Sequence, residues 1–583
     1  MDRTAWIAVT LCVVALVAWQ WWAAKQTPPR PATVPASPSP SAAIAETSPT
    51  PPTPFLTPAP TVTPVPTATI APEEVHVEKL SNADVEFDLT NVGGGIEKVV
   101  LPKYKAEGAA PVVLNSKGAM PIGAIIENPA APGLQKYDLE RTADGVQFTA
   151  KAEDLTIRKK FFFSQTKQKE DNFLAELDLD LINNSSKPYA NGGYSIGLGS
   201  AAPIHPRDYS YYTRLVWCID GRAKGVDVNW FGGGGGLFGI GARAPQPFYQ
   251  QPIPNAEWVA VSDQFFTTLI APLSGKAEGV WGRRIDVAPE QKVYAIEGAL
   301  RMPAVQIAPG QTYSARFQIY AGPKIYHRLA QLEHNEAEVM DFGIFKIVSQ
   351  FLLNFMNLLH GVLWQSYAAA ILALTTIIRV VLWPLQSKAN QTMRKTAALG
   401  PKMQALKEKY KDDPTRMNQE VMKLYKEYGI NPVGGCLPMM IQIPIFFGLF
   451  SMLGQAAELR NARFLWVHDL SQPDTLFTIP GLGWIPILGS PAGLPINILP
   501  LIMGATNLWL MRMTPKTGDS TQQRVMMFMP LIFLIFCYNF AAALALYYTT
   551  QNLFTILQLY QNRKLPAPVL EKVAPPGKKK ARR

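Results

Sequence analysis

ALTTIIRVVLWPL, residues 373–385, holds one charge, Arg379, in an otherwise uncharged apolar run, and a stretch of about 45 residues, basic on balance and helical in pattern, follows it. An arginine at a helix centre in hydrocarbon costs about 2.5–3.5 kcal/mol on insertion scales, so such residues face a bundle interior or a water-filled cavity and mark function. The chain therefore reads as a membrane machine. Composition agrees: 48% of the 583 residues are hydrophobic and 17% charged, with the charge gathered in a few segments. The net charge of +11 points to membrane-surface or ribosome contact, with no specific nucleic-acid site. Cys12, Cys218, Cys436 and Cys537 are far apart and mostly in apolar runs, so neither a disulfide framework nor a zinc site is expected, and no cofactor is implied.

Working outward, residues 5–24 form a twenty-residue apolar run ending in Trp19, Trp21 and Trp22. It is longer than the apolar region of a signal peptide, and no small-x-small site precedes Lys25, so an uncleaved transmembrane anchor is expected over 1–26. Residues 27–72 are rich in Pro, Thr, Ala and Ser and read as an extended linker. From 73 to 335 the pattern alternates with period two. Val85, Phe87 and Leu89 lie between acids, as do Leu177, Leu179 and Leu181, and further strands are expected at 146–152, 156–163 and 313–320. This predicts a large all-β sandwich. Residues 231–241, FGGGGGLFGIG, match a GxGxxG phosphate motif only formally and read as a glycine loop.

Residues 336–360 predict an amphipathic interfacial helix, with Phe345, Val348, Phe351, Leu352 and Phe355 at helical spacing. Packing of this helix on the β domain is the other reading. Spans are expected at 361–385, 431–456 and 494–513, with an outer loop at 457–493. Residues 525–560 hold 36 residues without a charge, about 54 Å as one helix and too long for one span, so they predict a hairpin of two, 523–540 and 541–561, turning near 538–542. Between 386 and 430 ten Lys or Arg face five Asp or Glu, against two and three in 458–493, which places the former in the cytoplasm. The result is an α-helical bundle of six spans plus an outer β sandwich, with both termini cytoplasmic and a basic tail at 562–583. Residues 386–430 predict a helical hairpin in which Asp413 caps, Pro414 opens and Gly429 ends the second helix. Its apolar seam is Met417, Val421, Leu424 and Tyr428, although positive charge there also serves simply to mark topology.

The stretch from 373 to 450, with NPVGGCLPMMIQIPIF at 431–446 and FLWVHDLSQPD at 464–474, closely resembles the YidC/Oxa/Alb insertase family. DVEFDLTNVGGGIEKVVLPKY and WVAVSDQFFTTLIAPL resemble the periplasmic domain of its Gram-negative-type branch, so the resemblance covers nearly the whole chain. One departure is YNFAAALALYY at 538–548, where relatives carry Pro and Gly. The resemblance implies an insertase and chaperone of the bacterial inner membrane, not an enzyme. Its implied partners are nascent membrane proteins, the Sec translocon, the ribosome through the hairpin and tail, and anionic lipids. Arg379, Thr375 and Tyr548 match groove positions, and Ile443, Pro444 and Phe446 lie in a substrate-contacting stretch. Gln442, Asn507, Gln551 and Asn552 are further polar residues expected to line the groove. For Arg379, snorkelling to cytoplasmic headgroups is the competing reading; Tyr548 also suits an interfacial anchor, and Gln442 a bond between helices. An anion transporter or channel and a membrane-tethered carbohydrate-active β-sandwich protein are the alternatives from other classes.

Overall fold

Alternating apolar residues put one face of each strand into a core, and this pattern organises the first half of the computed structural model. The structure describes residues 75–563 apart from 153, 165–171, 206, 235–242, 292, 432–436, 486–487, 491 and 515–519, together with 570 and 572. The expected anchor and linker, most of the terminal tail and of the glycine loop, and the centre of the NPVGGCLP motif lie outside the described residues. Contacts divide the chain at Gly322–Pro323.

The β unit holds a nine-stranded sheet whose order in space is Arg222–Asp227, Arg214–Ile219, Trp258–Ser262, Phe266–Pro272, Thr312–Pro323, Leu174–Asn183, Leu155–Phe163, Gly145–Lys151 and Asp138–Arg141. A five-stranded sheet runs Phe248–Ala256, Ala277–Ala288, Val293–Met302, Tyr194–Ala201 and Ile125–Ile126, and its last long strands lie against Trp258–Ser262 and Phe266–Pro272. A four-stranded antiparallel sheet spans Val77–Ser81 to Pro111–Leu114. The strands expected at 146–152, 156–163 and 313–320 are present as Gly145–Lys151, Leu155–Phe163 and Thr312–Pro323, with no end more than three residues away.

Two details explain how the sheets close. Leu215 is fully buried, and a Cβ on Gly298 would stand 2.8 Å from its Cδ1 and 2.8 Å from Val261 Cγ1, so only glycine admits this approach. Lys159 is buried, and its ammonium donates to the carbonyls of Gly93 at 2.7 Å and Gly123 at 3.3 Å, both in turns of positive φ. Burial holds its pKa well below the ordinary lysine value. Among the described residues no group of three or more His, Cys, Asp or Glu converges as a metal site.

The second unit is helical: α1 (Lys346–Val362), α2 (Tyr367–Ala398), α3 (Gly400–Lys409), α4 (Pro414–Glu427), α5 (Leu437–Leu453), α6 (Ile498–Met513), α7 (Ser520–Cys537) and α8 (Ala542–Arg563). α1 starts ten residues later than the pattern suggests. Gly343 takes φ 62°, and its N–H bonds the Asp341 carboxylate at 3.0 Å, so the chain turns before the helix can begin. Leu352, Leu353 and Met356 of α1 are buried while Ile347 and Phe351 are exposed. The expected stripe thus divides between two faces, Leu352 turning inward and Phe351 outward.

Among the described residues one helix, α2, is long and apolar enough to cross a membrane, and only 28% of its most apolar window is buried. The other apolar helical segments are shorter, Met440–Leu453, Ile498–Met513 and Phe528–Cys537. α2 runs on through Pro384 to Ala398, so the first arm of the basic hairpin continues the span and only α3 is a separate piece. The Asp413 side chain accepts from Arg416 N at 2.9 Å, Pro414 opens α4, and Gly429 has φ 59°. Leu399, Tyr428 and Ile430 form the hairpin's small core, with Met403, Leu424 and Tyr425 packed on it. α7 and α8 are separate helices broken at residues 538–541.

Replacing Gly298 by Ala is expected to destabilise the β unit by about 1–3 kcal/mol through overpacking. Adding Leu215→Ala should make the combined loss smaller than the sum of the two, read by denaturant unfolding of residues 75–322.

Candidate functional site

α8 occupies the middle of the helical unit, packed against α2, α5 and α6. Its buried residues include Tyr547, Gln551, Asn552 and Gln558, at helical spacings of four, one and six. Polar side chains shut into an apolar bundle must bond one another. Gln442 of α5 donates to Gln551 Oε1 at 3.1 Å and to the Tyr547 hydroxyl at 3.5 Å. Asn552 donates to the Thr506 hydroxyl of α6 at 3.1 Å and to the Met503 carbonyl at 3.4 Å. Gln558 donates to the Ser387 hydroxyl at 2.9 Å and the Trp383 carbonyl at 3.3 Å, both on α2.

Arg379 lies half-buried on α2, and Tyr547 and Tyr548 are the groups that act on it electrostatically. Among the described residues it has no acidic partner. Thr375, one turn earlier, is fully buried, and its hydroxyl donates back to the Ile371 carbonyl at 2.7 Å, so its own helix satisfies it. Tyr548 is ringed by Phe446 of α5 at 5.5 Å and Phe533 of α7 at 4.9 Å between centroids. Of the stretch 443–446, Ile443 is 46% exposed, Pro444 lies inside α5 and Phe446 belongs to this aromatic cluster.

The structure thus brings together Arg379, Gln442, Tyr548, Gln551 and Phe446 around α8. Asn507 is half-buried and outside these bonds; its neighbour Thr506 makes the contact with Asn552 instead. Sequence reasoning passed over Thr506, Ser387 and Gln558. The polar spacing of α8 was the signal that could have found Gln558, whereas Thr506 and Ser387 are small hydroxyls whose partners lie far away in the chain.

The end of the bundle near residue 540 is tied shut by the loop after α5. The amides of Ala542 and Ala543, at the start of α8, donate to the carbonyls of Gln472 at 2.9 Å and Leu470 at 3.0 Å. Asn497 is fully buried and donates to the Tyr538 carbonyl at 2.8 Å. Asp474 accepts from Leu499 N at 2.6 Å, at the start of α6, and from Trp466 Nε1 at 3.2 Å. Glu458, in the same loop, has both carboxyl oxygens shielded from solvent, and burial pushes it up to about 7 while the Asn357 side chain opposes the shift.

Two family models match the chain. One described as YidC periplasmic domain covers residues 78–355, and one described as 60Kd inner membrane protein covers residues 358–567. A membrane protein insertase YidC of Nitratidesulfovibrio vulgaris (strain DP4) is 29% identical over 96% of this chain and 98% of its own. That of the Miyazaki F strain is 30% identical over 70% and 69%. The insertase of Syntrophobacter fumaroxidans is 37% identical over 53% of each chain, so there the chain spans about half the length of the relative it matches. A solved structure titled as an active YidC insertase with its first transmembrane domain resolved aligns with 85% of this chain and 94% of its own, at 16% identity and a TM-score of 0.33.

Glu458 makes stability depend on pH with a definite sign. A carboxyl raised to about 7 when folded keeps its proton after the unfolded chain has lost it, so its contribution to stability falls as pH rises from the ordinary carboxylate value through about 7. The melting temperature of the full chain should drop between pH 5 and pH 8, and Glu458→Gln should flatten that slope in thermal unfolding followed across the range.

Proposed function

The chain belongs to the YidC family of membrane protein insertases, and on that premise we propose that Arg379 receives the polar flank of a substrate while its apolar segment passes into lipid. The observation that carries this reading is a cation in the candidate span with tyrosines beside it and, among the described residues, no carboxylate to neutralise it. A fixed structural arginine inside a bundle is normally paired; this one keeps its charge available. Gln442, Gln551 and Tyr548 supply a polar wall, and Ile443, Pro444 and Phe446 an apolar one, for a groove open to cytoplasm and lipid.

The driving force is transfer of apolar surface from water to lipid, about 25 cal/mol per Å², offset by the cost of moving the polar flank. Arg379 lowers that cost for acidic flanks by opposite charge, and no nucleotide is required. The six spans place both termini and the 386–430 hairpin in the cytoplasm, where ten basic residues attract anionic lipid and the ribosome. The β sandwich then stands outside the inner membrane as a non-catalytic domain, and the protein works alone or beside the Sec translocon on nascent membrane proteins.

For substrates with acidic translocated tails, Arg379→Lys should retain much more insertion than Arg379→Ala, measured by protease protection of the tail. Equal insertion by all three proteins would remove the charge from the mechanism.

The topology has its own check. In a cysteine-free background, Asn539→Cys should react with an impermeant maleimide from outside, and Arg524→Cys and Arg563→Cys only from the cytoplasm. Reaction of the two flanks from opposite faces would break the six-span arrangement.

A further inference from the structure

The loop between α5 and α6 exposes apolar side chains that no described residue of its own unit covers. Phe464 and Val467 exchange both backbone bonds, at 2.9 and 2.8 Å, so Leu465 and Trp466 form a two-residue tip between them. Leu465 takes φ 51°, a left-handed conformation that a branched side chain rarely adopts, and is nonetheless 76% exposed. Beyond it, the antiparallel strands Thr475–Ile479 and Leu494–Asn497 make a hairpin on which Leu476, Phe477 and Ile479 are exposed, and Trp484 in the connection is 77% exposed. Water would penalise each of these side chains.

Three observations identify what covers them. From Thr475 to Met511 the sequence has no Asp, Glu, Lys or Arg, so the hairpin lacks the charges by which a water-facing loop keeps itself solvated. Its second strand runs directly into α6, whose Leu501 and Leu508 are exposed in the same manner, so the apolar surface continues from hairpin to helix. The exposed aromatics include tryptophans, the side chain that settles at the boundary of hydrocarbon and headgroups. The tip is also held in place, since Trp466 bonds Asp474, which itself caps α6.

We propose that the 464–467 tip and the strand pair Thr475–Ile479 and Leu494–Asn497, with Trp484, insert into the headgroup boundary of the outer lipid leaflet as a rigid two-pronged anchor. For the hairpin the lipid contact is argued from exposure and absent charge, and for the tip, which Arg463 and His468 flank, from exposure and backbone strain; its assignment to the outer leaflet rests on the six-span topology. The anchor fixes the depth of α6 and, through Asn497 and Tyr538, that of the α7–α8 turn. A strained Leu is tolerated at the tip because lipid rewards the exposure that water would penalise.

The test is spin labelling of the full chain at Leu465→Cys, Phe477→Cys and Trp484→Cys in a cysteine-free background. The protein is held in membrane vesicles, and each variant is first shown to support insertion. Ile502→Cys on α6 serves as the lipid reference and Lys79→Cys in the β unit as the aqueous one. Power saturation with oxygen and with a nickel chelate should give all three sites an oxygen preference between the two references, with the chelate effective only from the outer face. Values equal to the Lys79 reference, or labels reached by neither reagent as in a contact with another protein, overturn the anchor. An intermediate oxygen preference with chelate access only from the cytoplasmic face leaves the lipid contact standing but overturns the topology and, with it, the outer-leaflet assignment.

Discussion

Inside an apolar bundle a side-chain amide has no water to bond, and α8 carries three of them in buried positions, Gln551, Asn552 and Gln558. Each finds its partner on a different helix: Gln442 of α5, Thr506 of α6, and Ser387 with the Trp383 carbonyl of α2. Apolar packing alone tolerates sliding and rotation of helices, since one Leu replaces another at small cost. A buried amide does not, because a slip that breaks its bond leaves a polar group unsatisfied at about 1–3 kcal/mol. The three pairs therefore fix the register of α8 against three neighbours at successive levels. The proximity of Tyr547 and Tyr548 to Arg379 follows from that register.

The end of the bundle near residue 540 is fixed by a different device. Helix termini leave amides unsatisfied, and here two of them at the start of α8 are met by the Gln472 and Leu470 carbonyls, while Asp474 supplies an anionic cap to the start of α6. One short stretch, residues 470–474, thus holds two helix N-termini together. Asn497 adds bonds to the turn between α7 and α8. This end is closed by backbone and amide bonds, whereas the arginine side of α2 has a cation without a counter-ion among the described residues.

What was legible in the sequence follows from the kind of signal each feature leaves. The break at 538–541 was readable without Pro or Gly, because 36 uncharged residues exceed one span and both flanking charges are basic. Asp413-Pro414 and Gly429 mark a helix start and end by local chemistry, and the helix obeys them. Strand alternation located the β unit for the same reason. The start of α1 was misplaced because apolar periodicity persists through Asp341 and Gly343, whose turn depends on one side-chain bond and one positive φ. Polar residues inside the helices were harder. The pattern marks Asn507 and Thr506 as equally polar, and only the rotation of α6 against α8 selects Thr506. Thr375 was expected to face the groove, yet a threonine in a helix can turn its hydroxyl back to the preceding turn, as it does here.

These differences divide the polar residues of the bundle into two populations. Gln442, Gln551, Asn552 and Gln558 spend their hydrogen bonds on one another or on neighbouring helices, so they set geometry and offer few donors to a passing chain. Arg379 has aromatic hydroxyls nearby and no carboxylate among the described residues, so its field is not cancelled locally. In a medium of low dielectric such a charge acts over a longer distance than it would in water. A substrate flank that brings a carboxylate supplies what the site lacks; one without acids gains only the polar wall. On this reading Arg379 biases which flanks enter, while entry of the apolar segment into lipid provides the free energy, and the two roles rest on different parts of the same bundle.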